Sequence, residues 1–191
     1  MINHCIQLAN VAAVPWKNGG GLTRELLAWP SPDAWVLRLS VAQIDKSGPF
    51  SIFAGVRRWF GVLTGAGVRL SVDNHTQVIT RDMPLFEFDG GLLCDCDLIE
   101  GSTSDLNIMI KDNAALSRAQ RVKQDYQTQL TKRSIFAVFA NGDQTMIRSM
   151  DDSVKPILLQ QGDLYWQILA SSDAPLQVMS KDAICVELEI E

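Results

Sequence analysis

Histidine is nearly absent from this chain: there are two in 191 residues, His4 and His75. That scarcity closes several routes at once. It leaves no Ser–His pair, no histidine acid–base group and no histidine-based metal cluster. Basic charge is also short. The net charge is −5, which argues against non-specific nucleic-acid binding. No apolar run reaches the roughly 18 residues of a membrane span, so no membrane association is expected. The N-terminus, MINHCIQLANVAAVPW, lacks a basic n-region and a long apolar core and does not read as a signal peptide. The four cysteines, Cys5, Cys94, Cys96 and Cys185, are not spaced as a disulfide framework and are expected to be reduced, in a cytoplasmic protein. A zinc site at Cys94 and Cys96 would need two more ligands, and neither histidine has the spacing to supply one. No metal and no cofactor are expected.

Helical periodicity is scarce as well. What remains is a series of short apolar runs. The segments 26–29, 35–44, 58–64, 67–72, 76–80, 85–88, 94–100 and 106–111 read as strands, followed by 134–140, 144–149, 157–160, 165–169, 176–180 and 184–190. Turn signals separate them at 47–50, 64–67, 88–91, 141–143 and 161–163. The pattern is all-β, a sandwich or barrel. It also repeats: Phe60 recurs as Phe136, Asp82 as Asp163 and Leu106 as Ile184, a separation that stays near about 80 residues. The chain thus divides into an N-terminal half, 1–111, a polar connection, 112–132, and a C-terminal half, 133–191. Within the connection, residues 114–120 read as a helical turn or two and 121–126 as a strand.

The densest chemistry lies in Pro15 to Glu25, PWKNGGGLTRE. Three consecutive glycines contribute no side chain, so their use is a backbone with positive φ or one that admits a close neighbour. Lys17, Asn18, Thr23, Arg24 and Glu25 surround Gly19, Gly20 and Gly21 with donors and one acid. This reads as a binding loop or as a plain surface turn. It is not a nucleotide loop, because the lysine precedes the glycines and the G-x-G-x-x-G spacing is missing. Farther on, Trp35, Leu37, Leu39 and Val41 alternate with Val36, Arg38, Ser40 and Ala42. The second face is either solvent or the lumen of a barrel, where Arg38 would offer a carboxylate two parallel donors. Asp105, Asn107 and Met109 share one face of a further strand. The segment from Gly48 to Arg58 is a loop with aromatics that ends in two arginines.

Six stretches, PWKNGGGLTREL, RLSVAQI, SGPFSIFAGVRR, VLTGAGVRL, FEFDG and DLNIMIK, resemble the HutD/Ves family in order and spacing. The resemblance is strong from Trp16 to about Lys111 and a matter of pattern beyond it. It implies a bicupin, two cupin-like barrel or sandwich halves in one compact bacterial cytoplasmic protein, associated with histidine utilisation or stress responses. Trp16, Lys17, Asn18, Gly19, Gly20, Thr23, Arg24 and Glu25 match its first motif, Arg38 and Ser40 its RLS motif, Gly48, Pro49, Phe50, Phe53 and Gly55 its GPFS-x-F-x-G motif, and Asp105, Asn107 and Met109 its D-x-N-x-M motif. One departure stands out. Where relatives commonly carry Asp or Glu before the second arginine, this chain has Arg57, expected to add positive charge near the site. Metal-dependent cupins set histidines around the first barrel's turn, and residues 57–67 hold none, so likeness in fold does not bring that chemistry.

The expected function is binding of a small anionic metabolite, such as formylglutamate or a related intermediate, with Lys17, Arg24 and Arg38 neutralising carboxylate and the glycine-loop amides adding hydrogen bonds. Two other readings stay open. One is a metal-free enzyme on a small carboxylate, with Glu25 as general base. The other is an interaction module whose apolar face at residues 35–41 joins two subunits, a homodimer being compatible with either.

Overall fold

A computed structural model of the chain describes residues 3–114, 117–129 and 131–190. Among these residues the chain forms nineteen strands and one short 3-10 turn, Leu8–Asn10. It separates into two compact units, Val11–Asn113 and the pair of segments Met1–Asn10 and Ala114–Glu191. Strand β1 (Asn3–Gln7) therefore belongs with the C-terminal half of the chain, where it pairs antiparallel with a strand over residues 163–167.

The unit Val11–Asn113 is two antiparallel sheets. The larger contains β2 (Val14–Pro15), β3 (Gly21–Trp29), β4 (Leu37–Ile44), β6 (Val56–Thr64), β9 (Phe86–Asp89) and β11 (Thr103–Lys111), in the order β2-β3-β4-β11-β6-β9. The smaller contains β5 (Gly48–Pro49), β7 (Val68–Val72), β8 (His75–Ile79) and β10 (Cys94–Leu98), in the order β5-β10-β7-β8. Alternation decides which residues enter the interior. Ile44, Phe60, Val62, Val68, Leu70, Val72, Ile79, Phe88, Cys94 and Cys96 form its apolar core. On β4 the reverse face is apolar too, and Leu37, Leu39 and Val41 are buried within the single chain.

The second unit repeats this plan. Its strands are β12 (Ser117–Val122), β13 (Tyr126–Gln127), β14 (Ser134–Ala140), β15 (Thr145–Ser149), β16 (Ile157–Leu159), β17 (Asp163–Leu169), β18 (Leu176–Met179) and β19 (Ala183–Glu189). The order β4-β11-β6-β9 returns as β12-β19-β14-β17, and β5-β10-β7-β8 returns as β13-β18-β15-β16. The duplication read from spacing is present over β4 to β11 and β12 to β19, with one correction: Phe60 corresponds to Val138, and Phe136 to Arg58, a slip of two residues that keeps the same strand face. The polar connection is not a linker, because β12 and β13 lie within it and complete the two sheets. The helical turn expected at 114–120 is corrected: Ser117 to Gln120 are strand, held by pairing with β19, while Ala115 and Leu116 lie outside the described residues. All four cysteines are free thiols.

Candidate functional site

A cavity of about 550 Å³ lies in the first unit, lined by Pro15, Trp16, Lys17, Asn18, Thr23, Arg38, Ser40, Ala42, Ile44, Pro49, Phe50, Ser51, Phe53, Arg58, Asn107 and Met109. The register of the larger sheet explains this lining. Paired residues on antiparallel strands point to the same side. Three inward rows follow: Thr23–Ala42–Asp105–Val62, Glu25–Ser40–Asn107–Phe60 and Ala28–Arg38–Met109–Arg58. A bulge between Glu25 and Leu27 sets the phase of β3 in the last row. The second face of β4 is thus lumen, and Arg38 and Ser40 line it.

The floor is Arg58, which is 5% exposed. Its guanidinium carbon stands 4.9 Å from the ring centre of Phe88, 5.3 Å from Phe50 and 5.6 Å from Phe53. These are cation–π distances. Arg58 Nη2 donates to Asn107 Oδ1 at 2.8 Å and Nη1 to the Ser51 carbonyl at 3.4 Å, while Nε is buried without a hydrogen-bond partner among the described residues. Burial lowers the guanidinium to about 10; the Cys94 thiol opposes that shift and the charge of Arg38 adds to it. Arg58 still carries its proton at neutral pH, and no carboxylate pairs with it among the described residues. A buried cation without a counter-ion is costly.

The rim is wetter. Arg38 Nε donates to Glu25 Oε2 at 2.6 Å, which fixes the guanidinium and leaves its two terminal nitrogens without a protein acceptor among the described residues. Lys17 and Asn18 are exposed. Trp16 Nε1 donates to Thr23 Oγ1 at 2.7 Å, and the Trp16 ring meets Phe50 edge-on, with centroids 6.5 Å apart. Lys17, Arg38 and Arg58 are the charged residues of the lining, and all three are cationic.

Of the residues picked from sequence, Trp16, Lys17, Asn18, Thr23, Arg38, Ser40, Phe50, Asn107 and Met109 meet at the cavity. The others do not. Arg24 pairs with Val41, on the face opposite Arg38, because β3 begins at Gly21 and the motif itself is strand. It cannot join Arg38 in neutralising a ligand. Arg57 also lies on the outer face, 3.6 Å from Glu87 and beside Trp59, so the extra charge it brings is not at the cavity. Gly19 and Gly20 form the tight turn between β2 and β3. The Gly19 amide donates to the Trp16 carbonyl and the Gly20 amide to Asn18 Oδ1, so neither is left for a ligand. Gly19 has φ of 66°, and a Cβ on Gly21 would fall 2.2 Å from the Gln43 carbonyl. Glu25 is bound to Arg38 and does not line the cavity.

Asp105 is not in the lining either. It is fully buried in the row beside Asn107, with Oδ2 accepting from Thr103 Oγ1 at 2.7 Å and Oδ1 unpartnered. Burial pushes its carboxyl up to about 7, against the lowering effect of the Thr103 bond. Sequence reasoning matched Phe53 to a motif without counting it as a site residue, and missed Arg58 and Ser51. The signal was present: Arg58 is in phase with the buried Phe60 and Val62, and Arg57 is not.

The duplicated sheets and the first-unit cavity define a two-barrel cupin-type protein with a cationic cup. Oxalate decarboxylase from Bacillus subtilis, a cupin, superposes with a TM-score of 0.63 at 9% identity, over 97% of this chain and 76% of its own, a likeness of fold alone. The HutD family model matches residues 8–186, and the chain belongs to the HutD family. It is 38% identical over 109 residues to an uncharacterized 21.2 kDa protein in the hutC 3′ region of Pseudomonas putida, covering 56% of this chain and 57% of that one. It is 35% identical over 118 residues to Protein Ves of Citrobacter koseri, covering 59% and 60%. The chain therefore spans under two thirds of the length of these relatives. The structure of HutD from Pseudomonas fluorescens, in a formate condition, superposes with a TM-score of 0.83 at 26% identity over 98% of both chains.

Proposed function

We propose that this HutD-family protein binds a small anionic metabolite, a carboxylate such as formylglutamate or a related intermediate of histidine utilisation, in the cup of its first barrel. The observation that carries the reading is the charge of the lining: Lys17, Arg38 and Arg58 face a cavity that no acid lines. A carboxylate held by guanidinium groups gains charge-assisted bonds and relieves the repulsion between Arg38 and Arg58. Ser40 and the Asn107 amide add neutral hydrogen-bonding groups, and the Phe50 and Phe53 rings cover an apolar stem. The P. putida relative is named for its place in the hutC 3′ region, and the role proposed for this chain is regulatory and cytoplasmic. No helix among the described residues is long and apolar enough to cross a membrane.

The bond from Arg38 to Glu25 speaks for Glu25 as a support of that guanidinium, not a general base. Titration calorimetry with N-formylglutamate, urocanate, glutamate and formate tests the reading. Saturable heat with at least one carboxylate is expected; none from folded protein would refute it.

A further inference from the structure

Among the described residues the Asp105 carboxyl has no counter-ion. Its row on the inner face, Thr23–Ala42–Asp105–Val62, adjoins the row of Ser40 and Asn107 that lines the cup. Two residues along a strand separate Asp105 from Asn107, a spacing of about 7 Å. The cations of the cup, Arg38 and Arg58, stand one row beyond, flanking Met109. The groups facing Asp105 are few. Thr103 on β11 donates its hydroxyl. On β10, burial pushes the Cys96 thiol up to about 12 and the Cys94 thiol to about 11, so both stay neutral. The paired residues Ala42 on β4 and Val62 on β6 are apolar. One carboxyl oxygen is fully buried and unpartnered.

We propose that Asp105 is a proton-coupled sensor of the anion in the cup: it is protonated when the anion is bound and loses its proton more readily when the cup is empty. The proposal rests on the anion-binding reading above. The reason is electrostatic. An ionised Asp105 and a carboxylate held in the cup are like charges on the same inner face, separated by the row of Ser40 and Asn107, so each disfavours the other. Coupling of this kind is reciprocal: if the anion raises the acid's proton affinity, the proton raises affinity for the anion by the same factor. Near neutral pH the carboxyl stands at the midpoint of its titration. Anion binding then takes up a fraction of a proton, and affinity falls as pH rises.

The test is titration calorimetry with N-formylglutamate, whose carboxylates stay ionised between pH 6 and 8.5, in Bis-Tris and in Tris, amine buffers that do not compete with an anion for the cup. In the wild type the apparent enthalpy is expected to differ between buffers by an amount that reports about half a proton taken up at pH 7. Affinity is expected to fall about tenfold from pH 6 to pH 8.5. In Asp105→Asn the buffer difference disappears and affinity no longer depends on pH. Asp105→Ala provides a second variant with the same expectation should Asn be tolerated poorly. Heat with no buffer dependence in the wild type overturns the proposal and leaves the anion reading standing, as does uptake that persists in both variants. No heat at any pH overturns the anion reading and the proposal with it.

Discussion

The two barrels share a strand order and differ in what fills them. Aligned on Leu106 and Ile184, the row Arg38–Met109–Arg58 corresponds to Arg118–Glu187–Phe136, and Ser40–Asn107–Phe60 to Gln120–Cys185–Val138, with Arg118 and Gln120 exposed on the edge strand β12. Where the first barrel sets a buried guanidinium, the second sets a phenyl ring. Where the first has Gly48 on β5, with nothing within 4 Å of an added Cβ, the second has Tyr126 on β13, stacked on Phe136 with centroids 6.4 Å apart. The second barrel holds an apolar core that includes Phe136, Val138, Tyr165 and Val178, with the buried Glu187 in the same row as Phe136. One copy fills its interior with apolar side chains around an acid, and the other keeps space around a buried guanidinium. The same backbone thus supports either use, and a few inward positions decide which.

The largest expected effect that sharpens this contrast is in the filled barrel. Phe136→Ala should cost about 3–5 kcal/mol of stability by denaturant titration, with anion binding unchanged once the protein is folded. A small loss would mean the second interior is not tightly packed. Next comes Asp105, a position at which the second barrel has the apolar Ala183. The folded protein holds the Asp105 proton up to about pH 7 and the unfolded chain releases it near 4. The wild type therefore loses stability as pH rises between those values, and Asp105→Asn should not. The variant should be the more stable at pH 8 by on the order of 2–4 kcal/mol, the gap closing toward pH 4. Equal slopes of stability against pH would show that the carboxyl is not held neutral. Third, Gly48→Tyr copies Tyr126 into the first barrel. It should reduce anion affinity at least about tenfold with little change in stability, because the ring enters open space. Unchanged affinity would separate the cup from the binding site. Smallest is Arg57→Ala, on the outer face: a change within about 0.5 kcal/mol and no effect on affinity are expected.

Much of this contrast was legible in the sequence, and the parts that were not have physical reasons. Strand existence followed from short apolar runs and turn residues, and the duplication from their spacing. The face of β4 that carries Arg38 and Ser40 was identified, but alternation alone could not say whether it met solvent or lumen, since that depends on β10 and the 50–55 loop. Arg24 and Arg57 were placed at the site because each lies in a motif. Strand phase overrides motif membership: Arg24 pairs with Val41 and Arg57 precedes the inward Arg58. The shortest strands, β2, β5 and β13, left no periodic signal, each having two residues. Strand β12 was hidden because its edge position leaves Arg118 and Gln120 exposed, which gives the segment a polar, helix-compatible composition.

The central claim is that Arg58 is the floor of an anion cup. Arg58→Met removes the charge and keeps an apolar side chain against Phe50, Phe53 and Phe88. Replacing a buried unpaired cation in this way is expected to leave stability unchanged or raise it by about 1–4 kcal/mol. Calorimetry with N-formylglutamate on the wild type and on Arg58→Met should show saturable heat in the first and none in the second. Equal binding by both proteins would contradict the account.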